Sequence, residues 1–158
     1  MLDAIREMVR KVGLARPDHH FDDDDARLAV AALLLHAADV DGGMSPAERA
    51  KVRDLLRRQY HLSAEDLDRL IADATRAEEE AVDLYSFTSV LKRQLGDADR
   101  VAVVRLLWEI VYADGEAQEF EENLVWRVAE LLAVPREQRL SAKAAVADSI
   151  TPPNDAEA

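Results

Sequence analysis

Two stretches of the chain gather carboxylates around an Asp-Gly pair, and each closes on a glutamate seven residues beyond the aspartate of that pair. The first reads Asp39-Val40-Asp41-Gly42-Gly43-Met44-Ser45-Pro46-Ala47-Glu48, and the second Asp114-Gly115-Glu116-Ala117-Gln118-Glu119-Phe120-Glu121. Clustered carboxylate oxygens are ligands for a hard divalent cation, calcium or magnesium. Set against the calcium-loop pattern D-x-[DN]-x-[DN]-G-x5-E, the first stretch supplies Asp39, Asp41, Gly42 and Glu48 but has Ala37 at the first ligand position. The second keeps only Asp114, Gly115 and Glu121, with Ile110 and Tyr112 at the earlier positions. Neither is an EF-hand. With fewer protein ligands, binding is expected in the weak range of about 10⁻⁴ to 10⁻³ M. The candidate metal ligands are Asp39, Asp41, Glu48, Asp114, Glu116 and Glu121.

Each of these residues also has a structural role to weigh. Ser45-Pro46-Ala47-Glu48 has the composition of a capping box, in which Ser holds the first turn and Glu at the third helical position reaches back, and this alone accounts for Glu48. The second stretch has no good cap residue in the place of Ser45, so capping explains Glu121 less well. Asp at the end of an incoming helix opposes the macrodipole by up to about 1 kcal/mol, so Asp41 and Asp114 call for compensation by the next helix start or by a cation. His36 has Asp39 three residues on, near enough to hydrogen-bond or share a metal, although a satisfied half-buried histidine is the plainer reading. There is no Ser-His-Asp order, phosphate-cradling glycine loop or H-E-x-x-H motif. A non-enzymatic protein is therefore expected, and a carboxylate acid-base enzyme is the competing reading.

Thirty-two acids against twenty bases give a net charge of −12, which repels phosphate backbones and argues against a nucleic-acid partner. Cations or a basic protein surface suit it better, although a solvated acidic surface is the commoner explanation; the Glu78-Glu79-Glu80 run reads most simply as solvated surface and is one acidic face on which such a partner would dock. The absence of cysteine excludes disulfides and thiolate zinc sites. Leu28 to Ala38, the longest nearly apolar run, contains His36 and is too short to span a bilayer. The start, MLDAIREMVRKVG, alternates charged and apolar residues without a secretory pattern, so a cytoplasmic location is expected.

The elements that must position the loops read as helices throughout: the chain has helical periodicity and no runs of alternating β-branched residues. Eight are expected. They cover Asp3–Val12, the Asp22–Asp25 run through Val40, Ser45 to Gln59, Ser63 to Glu78, Asp83 to Leu95, Asp97 to Ala113, Glu119 to Ala133, and Pro135 to about Ala147, with Ser63, Asp83 and Asp97 as the N-caps of their helices. Setting Asp41-Gly42 opposite Asp114-Gly115 places Val30 opposite Val103, Leu33 opposite Leu106, Leu35 opposite Trp108, Val52 opposite Val125 and Glu48 opposite Glu121, at a constant offset of 73 residues. The fold class expected is all-α, a single compact domain of about eight helices with an internal pseudo-two-fold helix-loop-helix repeat. Its two apolar central helices should pack on each other, with Trp108, Tyr112 and Trp126 in or near the core.

HAADVDGGMSPAE and EIVYADGEAQEFEE resemble the repeated A-x-x-D-G-x-x-x-x-x-E signature of TerB-like domains, named for the tellurite-resistance protein TerB. The first copy fits from Ala38 to Glu48; in the second, Val111 replaces the small opening residue, and the fit rests on Asp114, Gly115 and Glu121. The resemblance covers roughly residues 22–147. It implies a stress-associated, compact helical module whose acidic surface binds divalent metal. Carried over residue by residue, it points to Asp41, Glu48, Asp114 and Glu121; Asp39 and Glu116 are added on local chemistry alone. The resulting division is an amphipathic helix and lead-in over 1–20, a TerB-like helical domain over 21–148 and a disordered tail over 149–158.

Overall fold

The Asp25 carboxylate accepts the backbone N–H of Arg27 at 2.9 Å and starts the first described helix, α1, Ala26–Ala38. Ten of its thirteen residues are buried, on every face. An all-round apolar helix has to be enclosed by others, and this one is. The structure is a computed structural model describing residues 21–40, 42–113 and 118–150. Around α1 stand α2, Pro46–Tyr60; α3, Ala64–Glu80; α4, Tyr85–Gln94; and α5, Asp97–Val111, with α6, Glu119–Leu131, and α7, Arg136–Ile150, closing on α5. The described residues form seven helices and no strand. The first expected helix, Asp3–Val12, and the tail from 151 lie outside the described residues.

The core is one cluster running from Leu28, Leu33 and Leu34 on α1, through Leu56 and Leu70, to Leu107, Trp108 and Val128. Burying each large apolar side chain contributes about 1.5–3 kcal/mol. As the sequence implies, α1 and α5 pack on each other. The small residues of α1, such as Ala31 and Ala32 at 0% exposure, allow the close approach. Trp108 is fully buried, edge-on to Trp126 at 5.8 Å between ring centroids and 6.0 Å from Tyr112. Lys143 of α7 stands 5.3 Å from the Trp108 ring centroid and pairs with Glu122 of α6 at 3.0 Å. Burial without a partner for the Trp108 indole N–H costs about 1–3 kcal/mol. The ring contacts offset it.

Charged pairs tie the surface together: Lys51 to Glu109 at 3.1 Å joins α2 to α5, and Arg53 to Asp68 at 2.9 Å joins α2 to α3. Near the end of α2, burial and the neighbouring Asp25 push the Tyr60 phenol up to about 12. The chain then turns out of α2 through His61 at φ 53°, and out of α6 through Ala133 at φ 59°, both left-handed.

Three sequence expectations change at the helix ends. Asp97 is the first residue of α5, and Gly96 takes the cap position; the Asp97 carboxylate turns outward to Arg100. Asp83 sits one residue outside the N-cap of α4, Leu84, but still accepts the Tyr85 N–H at 2.9 Å. The helix expected to end near Ala147 continues to Ile150, and in its last turn the Ser149 hydroxyl donates to the Val146 carbonyl at 2.8 Å.

Candidate functional site

The first acidic stretch begins where α1 stops. The Asp39 N–H is held by the carbonyls of Leu35 at 3.1 Å and His36 at 3.2 Å, and the Asp39 carbonyl accepts the N–H of Gly42 at 3.1 Å. Gly42 has φ +98°, a conformation that favours glycine at this turn. Ser45 then caps α2: its N–H donates to Glu48 Oε1 at 2.8 Å, and its hydroxyl accepts the Glu48 N–H at 3.1 Å. Pro46 occupies the first turn, where a missing N–H costs nothing. The capping box read from the sequence is present, and it leaves Glu48 2% exposed.

The second stretch follows α5. Tyr112 caps the outgoing helix, its N–H bonded to the Trp108 carbonyl at 3.0 Å. Gln118 precedes α6 with an extended backbone, φ −91° and ψ 154°, and its N–H donates to Glu121 Oε1 at 3.0 Å. Glu121 is 1% exposed. This corrects the expectation that capping explains Glu121 poorly. The carboxylate closes on the N–H of Gln118 and the Gln118 side chain accepts the N–H of Glu121, so a residue type outside the usual cap set completes the box.

Of the six candidate ligands, Asp39, Glu48 and Glu121 are described; Asp41, Asp114 and Glu116 lie outside the described residues. Asp39 is exposed and lines a cleft of about 310 Å³ with Met44, Arg49, Arg53, Glu78 and Glu79. Two arginines on its wall set positive charge against the C-terminus of α1 and the aspartate there. Among the described residues no three His, Asp or Glu side chains converge as metal ligands. Each buried glutamate commits one oxygen to the N–H of its N-cap residue.

His36 does not pair with Asp39. Its Nδ1 lies 2.9 Å from Glu78 Oε2, across from α1 to the end of α3. Nothing in local spacing signals a partner 42 residues away. This pair forms one wall of a larger cleft of about 560 Å³ between the ends of α1 and α3, the start of α4 and the start of α6. Val82, Tyr85 and Phe120 stand at it, 99%, 64% and 70% exposed. The sequence reading missed this cleft, because its lining comes from four separate segments.

An all-helical fold in which two helices each start over a buried, inward-turned glutamate, just after an acidic stretch, defines the class. A family model described as tellurite resistance protein TerB matches residues 27–144, and the chain belongs to the TerB family. A search of curated proteins finds no match. The fold is similar to a crystal structure of a protein of unknown function from Porphyromonas gingivalis, with TM-score 0.59 and 17% identity over 82% of this chain and 98% of that one.

Proposed function

We propose that the chain is a non-enzymatic, stress-associated TerB-family module whose two acidic loops bind a divalent cation weakly. The observation that carries this reading is the matched placement of Glu48 and Glu121, at 2% and 1% exposure, each at the third position of its helix beside an Asp-Gly pair. Burying a carboxylate is costly, and each inward glutamate closes a carboxylate-rich stretch of sequence. The donors are all oxygens, which suits calcium or magnesium. The ligands would be Asp41 with Glu48, and Asp114 with Glu121, assisted by Asp39 and Glu116. The 73-residue offset, together with the shared glutamate geometry, supports an internal repeat that presents two such sites. The acidic, cysteine-free composition supports a cytoplasmic setting.

Calorimetric titration with calcium, magnesium and zinc tests the reading, with Asp41→Asn/Asp114→Asn as the comparison. Heat from the wild type that the double variant loses is the expected result. No heat from either protein removes the cation claim.

A second reading, a protein-interaction module, is favoured by a specific observation: Glu78, Glu79 and Glu80 stand beside the cleft that bears Val82, Tyr85 and Phe120. Apolar side chains rimmed by one sign of charge are a docking surface for a basic partner.

A further inference from the structure

Four large hydrophobic side chains are exposed among the described residues, and three of them, Val82, Tyr85 and Phe120, stand at the 560 Å³ cleft. Single exposed apolar residues need no explanation, but a group around one concavity does. The walls behind them are apolar too, with Val40, Phe87 and Leu124. The charge nearby is mostly negative: Glu78 and Asp83 line the cleft, Glu79 and Glu80 adjoin it, and Arg127 is the one lining residue of opposite sign. The cleft therefore fits an amphipathic helix with an apolar stripe and basic flanks.

One such segment belongs to the chain itself. Leu2, Ile5, Val9 and Val12 recur at helical spacing, and between them lie Arg6, Arg10 and Lys11 against Asp3 and Glu7. In a chain of net charge −12 this stretch is net positive. It also lies outside the residues matched by the family model, which begin at residue 27. The tether is suitable. Residues 1–20 lead into Phe21, which is buried and whose N–H is held by Asp73 Oδ2 at 2.9 Å. Asp73 is on α3, five residues before the cleft residue Glu78, about 7.5 Å along the helix. The eight residues from 13 to 20 reach up to about 28 Å when extended.

We propose that residues 2–12 dock as an amphipathic helix in this cleft, covering Val82, Tyr85 and Phe120 and setting Arg6, Arg10 and Lys11 against the acidic rim. The cleft is then a self-occupied site. The proposal is independent of the cation reading, and it uses the same rim as the interaction reading, from which the segment would exclude a partner.

Hydrogen exchange on the full-length protein tests it. In the wild type the amides of residues 2–12 should exchange at least ~10-fold more slowly than in an unstructured peptide of the same sequence. That protection should vanish in Val82→Asp/Phe120→Asp and equally in Ile5→Asp/Val9→Asp, while α1 stays protected in both. Because the cleft variant alters only exposed side chains, intact α1 protection separates loss of docking from loss of folding. Unprotected residues 2–12 in the wild type, or protection unchanged by the cleft variant, would overturn the proposal. Protection that rises with protein concentration alongside a dimer mass would overturn it in favour of a second copy. A basic partner captured on the rim while residues 2–12 exchange freely would also overturn it, and would leave the interaction reading standing.

Discussion

At the start of α2, Ser45 and Glu48 hold each other's backbone N–H groups; at the start of α6, Gln118 and Glu121 form the same reciprocal box, although Gln is a residue type not favoured at a helix cap. The cap residue differs, and the glutamate and its burial do not. The constant part is therefore the inward carboxylate, at 2% and 1% exposure. If capping were all that these positions required, an exposed glutamate would serve both helices. The flanking helices differ as well: at the sequence offset of 73 residues α1 carries Leu35 and α5 carries Trp108, whose ring wedges against Trp126 of α6.

The wedge offers the largest test. Trp108→Ala should destabilise the protein by about 3–5 kcal/mol, and Leu35→Ala, at the 7% exposed edge of the core, by about 2 kcal/mol, read as shifts in the urea midpoint. Equal losses would break the view that the second half depends more on one residue. Next in size are Glu48→Ala and Glu121→Ala, each expected to cost about 2 kcal/mol by leaving an N-cap N–H unpaired near the core. A large inequality between the two would show that the caps share geometry without sharing importance. The smallest effect is expected from Gln118→Ser, a gain of about 0.5–1 kcal/mol from a favoured cap residue in the extended conformation found there. No gain would mean that the α6 start is already as well held as the α2 start.

Much of this was legible in the residues. Ser45, Ser63 and Asp25 announce their helices through side chains that accept first-turn N–H groups, and the all-round apolar α1 foretells its own enclosure. Asp97 misled because Asp is favoured both at a cap and in the first turn, where it complements the dipole. Glu121 misled because its partner in the capping box is Gln118, a residue type that cap preferences do not advertise. The His36–Glu78 pair and the cleft beside it bring together residues from α1, α3, α4 and α6. Only packing creates such neighbours, and no spacing rule along one segment encodes them.

The stacked indoles have a practical consequence. Both tryptophans of the chain, Trp108 and Trp126, lie on α5 and α6, in edge-to-face contact at 5.8 Å. Indole fluorescence, excited selectively above the tyrosine band, therefore reports on α5 and α6 alone, while α1 to α3 contribute to far-ultraviolet dichroism and add no indole signal. Superimposed unfolding curves from the two signals would identify a single cooperative unit, and separated curves would show which half lets go first.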